Sequence, residues 1–316
     1  MATILAVLCS GRRKGYTSSL LAAAVEGMQR VEGVGVEVVR LHDFKFGPCT
    51  SCFTCIRDEN HRCIQPDCFG EQGRGELAVK VRQAHGLFIA DAVHHWGPTA
   101  MCHLFIERLY PFLWSGELDG MPFASVSCAT NQGMQRLANA EICKWAFAYG
   151  MRYIGGLPVH AAYWERAVEE AKELGQRLAE AARIDEREGR RPHGGDEARW
   201  RAYRGQPWEV LEPYLDNLTH GTFDLSASLP ATALREGTFQ RPEAVALLQQ
   251  VVPALEKALT AYRAGDEEAA IHHLVQASAF WTHATWKEFL EEQAIHASAP
   301  AVYRPLPEAI QGVPGR

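Results

Sequence analysis

Short apolar segments alternate with longer amphipathic segments along the first 190 residues. The apolar segments have the length of buried strands, and the first of them, residues 3–9, is also rich in β-branched residues. The five segments are residues 3–9, 34–41, 86–90, 123–128 and 152–159. The segments between them carry apolar residues at helical spacing, including 100–113, 134–149 and 164–187. Strands that alternate with helices predict an α/β fold with a parallel sheet covered on both faces.

The predicted sheet has five strands in the order 2-1-3-4-5, the doubly wound arrangement of flavodoxin-like domains, in which ligands bind at the carboxyl ends of the strands. Residues 188–197 are rich in Gly, Pro and charge, which is typical of a linker. Beyond them the alternation stops, and two long helices are predicted at 241–262 and 266–293. We therefore predict a domain over 1–190 and a helical extension over 191–316 that serves as a lid, an oligomerisation element or a docking element.

The composition excludes several classes of protein. Hydrophobic residues make up 47% of the chain, and the net charge is −6 with a pI near 6.1. A general nucleic-acid binder needs a basic face, so we expect no nucleic-acid partner. No apolar run reaches the length of about 18 residues that a membrane span requires, so we expect no membrane insertion. The amino terminus lacks the basic leader of a signal peptide, which predicts a cytoplasmic location with reduced cysteines.

Five of the nine cysteines lie between residues 49 and 68. Cys49, Cys52 and Cys55 have the spacing C-x2-C-x2-C, and Cys63 follows seven residues later. Compact spacing of this kind indicates an iron–sulfur cluster, whereas zinc sites more often divide their ligands into separated pairs. A zinc site and a set of free thiols remain the alternatives. The other cysteines, namely Cys9, Cys102, Cys128 and Cys143, are predicted to be small buried side chains.

The loop after the first strand has the features of a phosphate site. Ser10, Thr17 and Ser18 offer hydroxyl groups, and Arg12 and Lys14 offer positive charge. The backbone N–H groups at the start of the following helix favour an anion at the same place. The alternative is an ordinary basic surface loop.

Three segments together resemble one family. They are SGRRKGYTSSL from residue 10, VHHWGPTAMCHLFIERL from residue 93, and the cysteine segment 49–63. They resemble the phosphate loop, the aromatic loop and the cysteine motif of the NADPH-dependent FMN reductases and the related iron–sulfur flavoproteins. The resemblance covers about residues 1–160. It implies a flavodoxin fold, bound FMN and a homodimer or homotetramer.

The resemblance also implies roles for particular residues. Those that would contact FMN are Ser10, Arg12, Lys14, Tyr16, Thr17 and Ser18 around the phosphate, Val93, His94, His95, Trp96 and Gly97 beside the isoalloxazine ring, and Thr130, Asn131, Gln132 and Gly133 in a third loop. Those that would hold a [4Fe–4S] cluster are Cys49, Cys52, Cys55 and Cys63, with Cys68 as an alternative fourth ligand and His61 as a weaker one. The chain departs from the family at Tyr16, where Asn is usual, and at His94 and His95, where Tyr or Phe is common.

Three functions are compatible with these patterns. The first is an FMN oxidoreductase with a [4Fe–4S] cluster, which passes electrons from a ferredoxin-like donor or NAD(P)H to a small-molecule acceptor. In this oxidoreductase His94 or His95 would transfer a proton to the substrate. The alternative is that both histidines only face solvent and have no role in the reaction. The second is a cluster-free NAD(P)H-dependent quinone, flavin or azo reductase. The third is a non-enzymatic electron carrier or redox sensor. No G-x-G-x-x-G motif follows a strand, so a nicotinamide would visit the flavin face rather than a separate Rossmann site.

Overall fold

The computed structural model describes residues 1–70, 75–291 and 294. Five parallel strands form its sheet, namely β1 (Ala2–Leu8), β2 (Val34–Arg40), β3 (Gly86–His94), β5 (Pro122–Ala129) and β6 (Arg152–His160). Their order in the sheet is β2-β1-β3-β5-β6. The predicted fold class and strand order are confirmed. One short strand was not predicted: β4 (Gly97–Pro98) pairs antiparallel with the end of β3.

The two faces of the sheet are covered by different helices. Helix α1 (Tyr16–Gln29) and helix α7 (Trp164–Glu188) share a core with alternate strand residues such as Ile4 and Val126. The strand residues that point to the other face of the sheet lie against α6 (Gln135–Ala148). On that face the Ser125 hydroxyl donates a hydrogen bond to the side-chain oxygen of Asn139 at 3.3 Å. The sheet is therefore buried on both sides, as its apolar strands predict.

Glycines bring α1 and α7 together. A β-carbon at Gly27 would lie 1.9 Å from the carbonyl oxygen of Lys172, and one at Gly175 would lie 2.0 Å from that of Ala24. Only glycine fits at these two crossing points.

The helix predicted over 100–113 is divided in the structure. Helix α4 (Ala100–Arg108) ends at Leu109, and α5 (Tyr110–Ser115) follows at once. The single-helix prediction was wrong because Pro111 has no backbone N–H and cannot continue the hydrogen-bond ladder of α4. Two further helices precede β3: α2 (Thr54–Arg57) lies within the cysteine segment, and α3 (Glu76–Gln83) follows it.

The internal contacts divide the chain into Met1–Trp208 and Glu209–Arg316. The first unit includes α8 (Asp196–Ala202), which the sequence did not predict. The helices of the second unit are α9 (Leu211–Thr219), α10 (Leu229–Glu236), α11 (Pro242–Arg263) and α12 (Glu267–Thr285), followed by a π-helical turn over Trp286–Leu290. The two long helices correspond to α11 and α12, but α9 and α10 were missed. Residues 292 and 293 of the second predicted helix lie outside the described residues.

The domain assignment at residue 190 and the role of the extension stay predictions. Among the helices that the structure describes, none combines the length and the apolar character that crossing a membrane requires.

Candidate functional site

Three loops meet at the carboxyl ends of β1, β3 and β5, which are neighbours in the sheet. Trp96 in the loop after β3 donates its indole N–H to the Gln132 side chain in the loop after β5, at 3.2 Å. Thr17 at the start of α1 shares a hydrogen bond with the Cys128 thiol near the end of β5. The three segments predicted to contact FMN are therefore brought together.

The first loop is open to an anion. Gly15 precedes α1 as its N-cap residue and has no side chain, so the cap position offers no oxygen to the N–H groups of the first turn. Arg13 is held by Asp43 at 2.7 Å. By contrast, Arg12 and Lys14 are exposed, and neither has an ion pair within the described ranges. Two cations and an uncapped helix end form a site for a phosphate group.

The predicted phosphate ligands are not equivalent. Ser10 and Thr17 are buried, and the Ser10 oxygen accepts the backbone N–H of Arg12 at 3.4 Å. Ser18 donates its hydroxyl to the carbonyl of Gly15 at 2.9 Å, so its proton is already engaged. The Tyr16 ring packs edge-on against Trp164, with ring centroids 4.9 Å apart. Ser10 and Thr17 are thus buried beneath the loop, whereas Ser18 stabilises the backbone of the loop at Gly15.

The second loop is a tight hairpin between β3 and β4. His94 pairs with Gly97, which leaves His95 and Trp96 as the two turn residues. Their φ angles are 47° and 68°. Two-residue turns with both φ values positive are normally occupied by Asn-Gly or similar pairs, because side chains with a β-carbon are strained there. Strain of this kind often occurs at binding sites. The side chains of His94, His95 and Trp96 are exposed on this hairpin.

His160 positions the third loop and was missed by the sequence reasoning. Its Nε2 atom lies 2.8 Å from the carbonyl oxygen of Asn131. Its Nδ1 atom accepts the backbone N–H of Ala162 at 3.1 Å. The Nε2 atom therefore carries the proton and donates to Asn131. The sequence did offer one signal for this role: His160 is the last residue of β6, so it lies at the same edge of the sheet as the three loops.

A buried carboxyl group lies beneath the hairpin. Asp91 is 1% exposed and accepts hydrogen bonds from the backbone N–H of Thr99 at 2.8 Å and from its hydroxyl at 2.7 Å. Burial raises the pKa of Asp91 to about 6 in spite of these bonds. The Cys9 and Cys102 thiols and the Asp91 carboxylate lie within 4.8 Å of one another. The prediction that Cys9, Cys102, Cys128 and Cys143 are buried is confirmed.

The four cysteines of the predicted cluster line one pocket. Cys49, Cys52, Cys55 and Cys63 face it together with Arg108 and Tyr110. Cys68 is not among the residues that line this pocket. Its backbone N–H bonds the carbonyl of Lys45 at 3.1 Å, and its carbonyl accepts the N–H of Leu77 at 2.9 Å. The Nδ1 atom of His61 bonds the carbonyl of Cys55 at 2.9 Å, so this ring braces the loop.

The carboxyl end of α4 anchors this cysteine segment. Arg108 is 1% exposed and donates to both oxygens of Asp67, to the carbonyl of Gly47 at 2.7 Å and to the sulfur of Cys63 at 3.4 Å. Glu107 accepts the backbone N–H of Cys49 at 2.5 Å. Partial burial alone would raise the pKa of Asp67, but the bonds from Arg108 and two backbone amides lower it to about 2.

Two thiols of the pocket differ in how readily they ionise. Burial and the neighbouring thiols Cys63, Cys49 and Cys52 raise the pKa of Cys55 to about 11. Partial burial opposes ionisation of Cys52, but hydrogen bonds with Thr54 and Thr50 lower its pKa. Four thiolates so close together would repel one another without positive charge between them.

The sulfur positions differ from those of a single-ion zinc site. Zinc holds four sulfurs at 2.3 Å in a tetrahedron, which places them about 3.8 Å apart. In the part of the chain that the structure describes, no three of these four sulfurs lie within 4.8 Å of one another. The four thiols are therefore not arranged as the compact tetrahedron of a bound zinc ion in this structure.

A family model described as NADPH-dependent FMN reductase matches residues 2–165. The chain belongs to this family. It is a flavin-dependent oxidoreductase, and the cofactors of the family are FMN and NAD(P)H. The family match covers the sheet and the three loops but not the second unit.

Solved structures similar to this chain include a flavone reductase, with 16% identity, coverage of 62% of this chain and 69% of its own, and a TM-score of 0.45. An azoreductase from Bacillus anthracis str. Sterne has 14% identity, coverage of 59% and 100%, and a TM-score of 0.39. An NAD(P)H:quinone oxidoreductase from Methanothermobacter marburgensis has 14% identity, coverage of 56% and 96%, and a TM-score of 0.41. A comparison with curated protein sequences found no match.

Proposed function

We propose that this FMN reductase family member transfers electrons from NAD(P)H to a small-molecule acceptor of the quinone, flavin or azo type. The observation that supports the proposal is the open anion site after β1, where Arg12 and Lys14 flank the uncapped start of α1. This site lies beside the strained hairpin and the third loop, at the edge of the sheet where flavodoxin-like folds bind their ligands.

Each loop has a part in this function. Ser10, Arg12 and Lys14 bind the FMN phosphate with the N–H groups of α1. Residues 93–97 and 130–133 flank the isoalloxazine ring, and the bond from Trp96 to Gln132 sets the gap between them. Bound FMN supplies two-electron transfer between donor and acceptor. His94 and His95 are exposed at the rim, where either imidazole can deliver a proton to the acceptor near neutral pH.

The donor and the acceptor use the same open face in turn. The sequence has no Rossmann glycine motif, so the nicotinamide has no separate strand-end site of that type. Alternating use of one face predicts ping-pong kinetics.

Reconstitution tests this function. Purified protein is incubated with FMN, separated from free flavin, and assayed for NADPH and NADH oxidation with menadione and with an azo dye. Stoichiometric FMN and turnover with at least one acceptor support the proposal. Failure to retain FMN would reject it. Retained FMN without turnover on any small acceptor would favour the electron-carrier function instead.

A second candidate function adds a [4Fe–4S] cluster held by Cys49, Cys52, Cys55 and Cys63. The observation that favours it is the shared pocket, in which the N–H groups of Ser51 and Arg108 donate to two of the sulfurs. Hydrogen bonds to sulfur are a normal feature of such clusters and tune their potential. In this form a ferredoxin-like protein could replace NAD(P)H as the electron donor. A homodimer or homotetramer remains part of the proposal in both forms.

Iron and sulfide analysis separates the two candidates. Protein purified without oxygen should contain about four irons and four sulfides per chain, with a broad absorption shoulder near 400 nm, if the cluster is present. Full FMN occupancy without iron or sulfide would leave the cluster-free reductase.

A further inference from the structure

A cleft of about 420 Å³ lies between the first residues of β6, the last turns of α7 and the end of α8. Its volume falls within the range of about 300–1,000 Å³ that is usual for small-molecule sites. The nine residues of β6 span about 26 Å from one end of the strand to the other. The cleft is therefore at the amino ends of the strands, opposite the three loops assigned to FMN.

Asp185 is the buried charged group of this cleft. Its side chain is 3% exposed, and its Oδ2 atom accepts a hydrogen bond from Nη2 of Arg152 at 2.9 Å. Its Oδ1 atom is buried and has no hydrogen-bond partner among the residues that the structure describes. Burial raises the pKa of the Asp185 carboxyl although Arg152 opposes the shift, so one ion pair does not fully compensate the carboxylate. A ligand that brings an N–H group to Oδ1 would supply the missing bond.

Arg152 adds an unused donor to the same pair. Its Nε atom is buried and, like Oδ1 of Asp185, has no hydrogen-bond partner in the described part of the chain. The ion pair thus leaves one acceptor and one donor without partners. A cyclic amide offers the complementary groups, because its N–H donor and its carbonyl acceptor are adjacent in one plane.

The other walls of the cleft fit a flat, apolar ring. Tyr153 and Tyr203 line it with their ring centroids 6.3 Å apart. Their hydroxyl groups are engaged elsewhere, since Tyr203 donates to the Met151 carbonyl at 2.7 Å and Tyr153 accepts from the Asn139 amide at 3.3 Å. The two rings therefore present mainly apolar surface to a ligand. Aliphatic side chains complete the lining, namely Ile154, Ala181 and Ile184.

We propose that this cleft binds a planar cyclic amide, the class of heterocycle that includes pyrimidinones and quinazolinones. The ligand N–H donates to Oδ1 of Asp185, its carbonyl oxygen accepts from Nε of Arg152, and its ring packs on Tyr153 and Tyr203. The site does not depend on the proposed function, because it shares no residue with the three loops assigned to FMN.

Two matched compounds test the amide recognition. Quinazolin-4(3H)-one is the probe, because it joins a cyclic amide to a flat apolar ring. It is titrated into the full-length protein by calorimetry with saturating FMN, so that the candidate flavin site is occupied. The dissociation constant should be below about 1 mM. Its 3-methyl derivative has no N–H donor and should bind at least about tenfold more weakly. Failure of the probe to bind, or equal affinity for both compounds, would overturn the inference.

Variants of α7 locate the binding. In Asp185→Asn the amide oxygen turns to the Arg152 guanidinium and the NH₂ group faces the ligand, so the affinity for the probe should fall at least about tenfold. Ala181→Leu keeps the ion pair but fills part of the cleft, and it should also weaken binding. Glu173→Gln is the control, because Glu173 is an exposed carboxylate of α7 that does not line the cleft.

Thermal unfolding shows which variants are folded. Unchanged affinity in folded Asp185→Asn would overturn the inference, whatever the result for Ala181→Leu. If Asp185→Asn does not fold, Ala181→Leu decides: unchanged affinity there would overturn the inference, and a loss that is absent from Glu173→Gln would support it.

Discussion

The guanidinium of Arg108 donates to the two carboxylate oxygens of Asp67 at 2.6 and 3.1 Å. This pair joins the end of α4 to the loop just after the cysteine segment, across 41 residues of sequence. The same guanidinium lies over the ring of Phe69, 5.2 Å from its centroid. Since α4 begins directly after the hairpin of His95 and Trp96, one short helix connects the candidate flavin site to the cysteine pocket.

Arg108→Met should destabilise the first unit strongly. The substitution leaves the Asp67 carboxylate without its buried partner, and losses of this kind are about 3–5 kcal/mol. Urea unfolding followed by tryptophan fluorescence measures the change. Arg30→Met is the control, because Arg30 and Glu26 form an exposed pair on α1 and its loss should barely alter stability. If both substitutions lowered the free energy of unfolding by a similarly small amount, the hydrogen bonds of Arg108 would make no net contribution to stability.

Asp91 should make stability fall between about pH 4 and pH 6. Its pKa in the folded protein is about 6, above the ordinary aspartate value of 3.8, so the folded state binds the proton more tightly than the unfolded state does. The favourable contribution is complete below the unfolded pKa and is lost as the pH rises through 6. A difference of about two units corresponds to about 3 kcal/mol.

Comparison of the wild type with Asp91→Asn tests this dependence. The asparagine keeps the shape of the side chain but has no charge to bury. Urea unfolding at pH 4.5 and pH 7 should show a smaller difference between the two pH values for the variant. The bonds of Asp67 do not interfere, because its pKa is about 2 and its contribution is lost only at more acid pH. Identical pH profiles for the two proteins would refute the prediction.

The sheet could be predicted from the sequence because each strand is a short apolar segment between helical patterns. The three loops followed from the sheet, since parallel strands end at one edge. The bonds of Arg108 could not be predicted, because Asp67 and Gly47 are brought to it only by the path of an irregular segment. The role of His160 was missed for the same reason: its partner Asn131 lies 29 residues away in another loop. Patterns along the chain indicate elements, but contacts between loops depend on tertiary structure.

His95→Gly should distinguish strain from proton transfer. Residue 95 has a φ of 47°, a conformation that costs a non-glycine residue about 1–2 kcal/mol. Glycine removes this cost, so the variant should be more stable by about 1 kcal/mol. If His95 also protonates the acceptor, kcat should fall while FMN affinity is kept. His94→Ala is the comparison for the neighbouring imidazole. Lower stability in His95→Gly would contradict the assignment of strain to the hairpin.

Arg12→Ala should weaken FMN binding by about tenfold, the loss expected for one charge-assisted contact to phosphate. Arg13→Ala is a matched control in the same loop, because the Arg13 guanidinium is paired with the Asp43 carboxylate and is not expected to bind the phosphate. Flavin fluorescence quenching gives the dissociation constants, and riboflavin serves as a second ligand that lacks the phosphate. Arg12→Ala should leave riboflavin binding unchanged. Equal losses for FMN and riboflavin would place Arg12 away from the phosphate.

Cys63→Ser and Cys68→Ser should differ in metal content. Cys63 lines the pocket with Cys49, Cys52 and Cys55 and accepts a hydrogen bond from Arg108, whereas Cys68 does not line it. If the wild type holds a cluster, iron and sulfide should fall sharply in Cys63→Ser and stay at the wild-type level in Cys68→Ser. Analysis of protein prepared without oxygen measures both. Loss of iron in Cys68→Ser with retention in Cys63→Ser would make Cys68 the fourth ligand and would require the loop to rearrange. Flavin content should be the same in both variants, because the FMN loops contain neither residue.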